Sequence, residues 1–167
     1  MKKIMMLFVL MAVALQPLSA KSVKDLIKEF KHEDKATSVY VSPMLMKMAK
    51  MVDGKSDLDE AERLAMKKVK SVRVLSLGDC SKSVKERFAQ EVDRLSDGEY
   101  EPLVVVNSNG DKVKVMSLFK NDIIKELVIF TADVEDCAIV QVTGKFTKED
   151  IQVIVNNQTT KTKSRKG

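Results

Sequence analysis

Leu103-Val104-Val105-Val106-Asn107-Ser108-Asn109-Gly110-Asp111-Lys112-Val113-Lys114-Val115-Met116-Ser117-Leu118 is the stretch that decides the fold class. Two β-rich runs flank Asn109-Gly110, a dipeptide suited to the positive φ angles of a tight hairpin. On the return run Lys112 and Lys114 alternate with Val113 and Val115, so one face is wet and the other apolar. Two more apolar runs follow, Glu126 to Thr131 and Ala138 to Val142, separated by the polar Asp133-Val134-Glu135-Asp136. The four runs read as an antiparallel meander from Leu103 to Lys145, with Gly144 ending the last strand. Phe119 to Lys125 stays open between a short loop and a turn of helix, with Asn121-Asp122 at its centre.

Upstream, helices and two shorter strands are expected. Ser22 is placed to cap a helix from Val23 to His32, whose Val23, Leu26, Ile27 and Phe30 recur at helical spacing. Thr37 to Val41 is a β-rich first strand. Ser42-Pro43 starts a second helix, with a cap residue followed by Pro at the first helical position. It runs to about Met51, and Met44, Leu45, Met48 and Met51 share a face with Met46 on the flank. A third helix covers Leu58 to Lys68, a strand Ser71 to Leu77, and a fourth helix runs from Ser81 or Ser83 to Leu95. After the meander, Thr147 and Asp150 form a capping-box pattern that opens a helix to about Asn157. Helices that do not alternate strictly with strands exclude a doubly wound parallel sheet. The pattern predicts an α+β domain, a mostly antiparallel sheet with helices packed mainly on one face in two layers.

The first 20 residues read as a secretory signal peptide. Lys2-Lys3 supplies a positive start, Ile4 to Leu15 an apolar run, and Gln16 to Ala20 a small-residue ending. That run is too short to span the roughly 30 Å of a bilayer core as a helix. The expected organisation is therefore a signal peptide over 1–20, one domain over 21–157, and a basic disordered tail over 158–167. Export places the protein in the periplasm or outside the cell. Without Lys2, Lys3 and the four basic residues of the last seven, the body holds 23 basic against 24 acidic residues. Such a body is not a nucleic-acid-binding surface by composition, and no transmembrane helix is expected after signal cleavage.

Few residues suggest chemistry. Cys80 and Cys137 are an even pair able to form a disulfide in an oxidising compartment, or to stand as separate thiols. His32 is the single histidine, which removes the common zinc sites, and it sits among charged residues where solvation is the simpler account. The acidic runs Asp57 to Glu62 and Asp133 to Asp136 fit a helix start and a hairpin loop better than a calcium loop. No glycine-rich phosphate loop is present, and no cofactor or metal is expected. Met44, Met48 and Met51 are the candidate for a partner-facing helix, since thioethers adapt to varied apolar surfaces.

Lys70-Ser71-Val72-Arg73-Val74-Leu75-Ser76, Tyr100-Glu101-Pro102-Leu103-Val104, Asp111 to Val115, Ile124 to Val128 and Ile139 to Phe146 together make the chain resemble the exported bacterial domain-of-unknown-function family 4252. The resemblance covers nearly all of the chain after the signal segment. It implies an α+β envelope protein with a tie to envelope-stress signalling, and it supplies no catalytic residue. The leading expectation is a non-enzymatic binding or interaction module facing an envelope protein. Its working surface would be the sheet face left open by the helices, or the methionine helix. An envelope hydrolase using paired carboxylates is the first alternative, and a structural component without a small ligand is the second. Two acids about 5 to 10 Å apart in a cleft would favour the hydrolase.

Overall fold

The computed structural model describes residues 21–52, 60–95, 98–108, 111–132 and 137–151. The segment read as a signal peptide, the basic tail, the Asn109-Gly110 turn, the Asp133–Asp136 loop and the first half of the Asp57–Glu62 acidic run lie outside these residues. Four helices and six strands are described. The helices are α1 (Val23–Phe30), α2 (Pro43–Val52), α3 (Glu60–Lys68) and α4 (Lys82–Leu95). The strands are β1 (Thr37–Val41), β2 (Val69–Ser76), β3 (Tyr100–Ser108), β4 (Asp111–Lys120), β5 (Ile123–Ala132) and β6 (Cys137–Phe146). They form one sheet in the order β1-β2-β6-β5-β4-β3, and every neighbouring pair is antiparallel. The α+β class, the antiparallel sheet and the C-terminal meander are thus as the pattern indicates.

Local chemistry sets the boundaries. Ser22 and Asp25 form a full capping box at α1, the hydroxyl accepting from the Asp25 N–H at 3.2 Å. Ser42 caps α2 by accepting from the Leu45 N–H at 3.3 Å. Thr147 and Asp150 cap each other's backbone, and residues 148–151 are helical. Between β4 and β5 there is no helical turn, and the short connection is cut to two residues. Asn121 and Asp122 both take positive φ, 53° and 59°, which makes a two-residue hairpin turn whose twist matches the strands. Asn and Asp tolerate this left-handed region better than other non-glycine residues.

The main core lies on one face of the sheet. Leu75, Ile139, Val128, Phe130 and Met116 project there and meet Val23, Leu26, Ile27 and Phe30 of α1 and Phe88, Val92 and Leu95 of α4. Phe88 sits between Phe30, edge-on at 4.9 Å between ring centres, and Phe130 at 5.7 Å. A smaller cluster occupies one end of the opposite face. There Met46 of α2 packs with Val69, Ile124 and Phe146, flanked by Val72, Leu127 and Val142.

Register shifts fall at Val69/Ser71 in β2, Ile124/Glu126 in β5, Leu118/Phe119 in β4 and Pro102/Val104 in β3. The pairings Ser71–Thr143, Glu126–Thr143, Leu118–Glu126 and Tyr100–Leu118 show that these bulges lie side by side across the sheet. A bulge changes which face the following residues reach. Val69 and Ile124 accordingly join the smaller cluster, against the parity of Leu75 and Val128 in their own strands.

Because Phe88 is fully buried and bridges helix to sheet, Phe88→Ala should cost about 3–5 kcal/mol of stability. Met51→Ala, at an exposed helix position, should stay within about 0.5 kcal/mol of the parent. Urea denaturation midpoints check both values.

Candidate functional site

The face opposite the main core is covered only near the smaller cluster among the described residues. Beyond it, one register row crosses all six strands: Val39, Val74, Val140, Ile129, Val115 and Val104. Every residue in the row is aliphatic. Val39 is 51 % exposed, Val104 42 % and Ile129 39 %, while Val74, Val115 and Val140 are half-buried. The next row outward is Thr37, Ser76, Ala138, Thr131, Val113 and Val106, again without a charge. At roughly 4.8 Å between strands and 3.3 Å per residue this field measures on the order of 400 Å². Apolar patches of that size commonly mark interaction surfaces.

Helix α2 anchors through Met46, which is buried. Met44, Met48 and Met51 lie on the outer side of the helix, at 71 %, 48 % and 80 % exposure. The apolar stripe read from the sequence therefore faces solvent, and the flanking Met46 makes the core contact.

A second site lies at the bulged end of the sheet. A cleft of about 890 Å³ opens there between α1, α2, the α3–β2 junction and the ends of β5 and β6. Among the described residues its walls carry eight lysines and one arginine against a single carboxylate, Glu126. Three of the cations are committed. Lys50 donates to the carbonyls of Lys67 and Val69 at 2.9 and 2.6 Å, closing the C-terminus of α3, where the helix dipole favours a cation. Lys68 pairs with Asp150 at 2.5 Å. Arg73 stacks over the Tyr40 ring at 4.4 Å and donates to Gln141 Oε1 at 3.0 Å.

Behind the cleft a polar ladder enters the apolar core. Gln141, almost wholly buried, donates from Nε2 to Glu126 Oε2 at 2.7 Å, and the Tyr100 hydroxyl donates to the same oxygen at 2.8 Å. Beside it Ser71 and Thr143 share a 2.6 Å hydroxyl contact. Burial, and then the Glu126 carboxylate it serves, push the Tyr100 phenol well above the usual tyrosine range. Glu126 is the one acid among the described residues of the cleft and is already engaged, so the described lining holds no pair of carboxylates of the kind a glycosidase needs.

Cys80 and Cys137 are both buried in the main core, and no disulfide joins them in the structure. The Cys80 thiol donates to the Asp34 carbonyl at 3.1 Å. Burial, with the nearby Glu33 and Asp34 charges, raises its pKa and disfavours the nucleophilic thiolate. Among the described residues no His, Cys, Asp and Glu side chains gather into a metal-binding group, and no helix is long and apolar enough to cross a membrane.

A family model described as domain of unknown function (DUF4252) matches residues 30–154. The chain belongs to this family. The match takes in all six strands and every cleft residue except Lys24. No curated protein and no solved structure matches the chain.

Two outcomes follow from the buried groups. Iodoacetamide at pH 7.5 should leave both cysteines unmodified in the folded protein, and denaturant without reductant should expose two reactive thiols, counted by mass spectrometry. Tyr100 keeps its proton in the folded protein at a pH where the unfolded chain, near pH 10, releases it. Stability should therefore be fully present below pH 10 and fall as pH rises beyond it. Urea titrations from pH 9 to 11 should show a shallower fall for Tyr100→Phe.

Proposed function

We propose that this protein is a non-enzymatic exported module that binds an envelope protein through the open face of its sheet. The observation that carries this reading is the aliphatic row from Val39 to Val104, unbroken over six strands and uncovered by any described helix. A polar or charged row would have argued against docking. An uncharged face rejects charged partner surfaces, because an unpaired charge buried against it keeps its full desolvation cost. The partner is accordingly an uncharged, aliphatic protein surface. The exposed methionines on α2 support a partner other than an identical copy, since thioethers adjust to shapes that are not fixed by symmetry. The edge strand β3 adds Leu103, Val104, Val105 and Val106, all exposed, beside unpaired backbone groups that suit pairing with another chain.

Export rests on Lys2-Lys3, the Ile4–Leu15 apolar run and the small residues up to Ala20. The envelope, periplasmic or at the surface, is where the partner is met. An envelope-stress role fits this reading, because a soluble module that captures an apolar protein surface is suited to reporting exposed hydrophobic chain.

A photo-crosslinking residue placed at Ile129 in cells checks the proposal. The expected result is a discrete adduct with another envelope protein, reduced at least tenfold by Val140→Asp or Val104→Lys and unaffected by Lys31→Glu on the other side of the molecule. Adducts only with a second copy of the chain, or none at all, would overturn it. Circular dichroism of each variant separates lost binding from lost folding.

A further inference from the structure

We infer that the basic cleft at the bulged end of the sheet binds a compact anion carrying two or more phosphate groups. This site is distinct from the open apolar face. Its signature is an imbalance: among the described residues, nine cationic side chains and one carboxylate line a single cavity of about 890 Å³, although the body of the chain is close to neutral. The volume lies within the range of small-molecule pockets.

The cations divide by task. Lys50, Lys68 and Arg73 are held by protein groups and shape the walls. The ammonium groups of Lys47, Lys67, Lys70, Lys125 and Lys145 make no ion pair or hydrogen bond among the described residues, and all five side chains line the cavity. Like charges gathered around a concave surface repel one another and focus a positive potential into it. A bound polyanion removes that repulsion, so the free lysines favour a ligand of several charges over a single one.

The residue types point to phosphate. Planar carboxylates are recognised by the bidentate fork of arginine, whereas lysine acts as a point charge from any direction. Here the ratio is eight lysines to one arginine, and the arginine fork is already turned to Gln141. Tetrahedral phosphate oxygens accept from ammonium groups on all sides and from hydroxyls such as those of Ser71 and Thr143, which also line the cleft. The cations converge into a pocket and do not run as a stripe along one helix, so the geometry fits a compact ligand better than a nucleic-acid backbone. The same chemistry is offered by a soluble polyphosphorylated molecule and by a lipid headgroup with two phosphates.

Two probes separate those sources at about 0.15 M salt, where weak surface attraction is screened. One is inorganic tripolyphosphate, followed by calorimetry. The other is phosphatidylcholine vesicles with and without cardiolipin, followed by co-sedimentation. Binding of tripolyphosphate supports a soluble ligand, and binding only to cardiolipin vesicles supports a lipid headgroup. In either case Lys70→Glu/Lys125→Glu/Lys145→Glu should weaken binding at least tenfold. Lys28→Glu/Lys31→Glu/Lys120→Glu, with the same charge change on exposed lysines outside the cleft, should weaken it less than threefold. Equal loss in both variants would show attraction to net charge alone and overturn the site. So would the failure of both probes to bind. The milder Lys70→Gln/Lys125→Gln/Lys145→Gln variant keeps the test decisive if the charge-reversed protein does not fold.

Discussion

Strand β6 is hydrogen-bonded along both edges, to β2 on one side and β5 on the other. It is the seam between two pieces of chain that are far apart in sequence, the β1–β2 pair and the β3–β5 meander. Its alternation assigns the two faces. Ile139 and Gln141 turn toward α1 and α4, and Val140 and Val142 turn the other way. A slip of one residue at this seam would exchange the faces, sending Gln141 out of reach of Glu126 and Arg73 and placing Val140 under the helices. The buried network Arg73–Gln141–Glu126–Tyr100 therefore does more than satisfy its own donors and acceptors. Each partner comes from a different strand, so the hydrogen bonds are complete only in the native register, and a slipped register leaves buried polar groups unpaired at about 1–3 kcal/mol each.

Much of this was legible in the residues because it is local. The caps at Ser22, Ser42 and Thr147 and the valine alternation of β4 depend on neighbours within a few positions, and they appear in the structure as read. The turn at Asn121-Asp122 is not marked in the sequence, because it lacks the glycine that usually accompanies two consecutive positive φ angles. The pairing of β2 with β6 joins residues about seventy positions apart, and nothing in either strand names the other. The methionine helix shows a further limit. In Met44-Leu45-Met46-Lys47-Met48 apolar residues surround most of the helix, so periodicity alone does not choose the inward side. Packing chose Met46, whose neighbours Val69, Ile124 and Phe146 are brought together only by the fold.

The basic cleft was hidden for a different reason. Net charge is a sum over the whole chain, and a sum near zero is compatible with strong segregation. Acidic side chains are spent in pairs elsewhere: Asp93 takes Lys112 and Lys114, Glu91 takes Lys21 and Arg94, and Glu33 takes Arg87. These pairs stitch α4 to β4, to the start of α1 and to the loop that follows α1. Among the described residues, what remains at the far end is an excess of lysine. The run Lys67-Lys68-Val69-Lys70 was the visible trace of it, but such a run is ordinarily a solvated face. It becomes a wall only when β5 and β6 bring Lys125 and Lys145 opposite it.

The line of bulges explains why the cleft and the smaller cluster share one end of the molecule. A regular sheet continued through Ser71, Thr143, Glu126 and Leu118 would have sent Val69 and Ile124 into the main core. The bulges turn them to the other face, where α2 needs apolar partners. The same bend brings the α3–β2 junction against β6. Gly144 records how close that approach is, since a Cβ there would lie 2.6 Å from both the Lys68 carbonyl oxygen and the Phe146 ring. No flexible side chain tip could move aside, because one obstacle is backbone and the other a fully buried ring. Glycine at this position is thus a condition for closing the cleft floor, and the lysines of the junction reach the cavity only because the floor closes. The valine row lies beyond the bulges, where the strands keep a common register and no described helix crosses them. One sheet therefore carries two kinds of surface, regular and apolar where its ladder is unbroken, concave and cationic where it is bent.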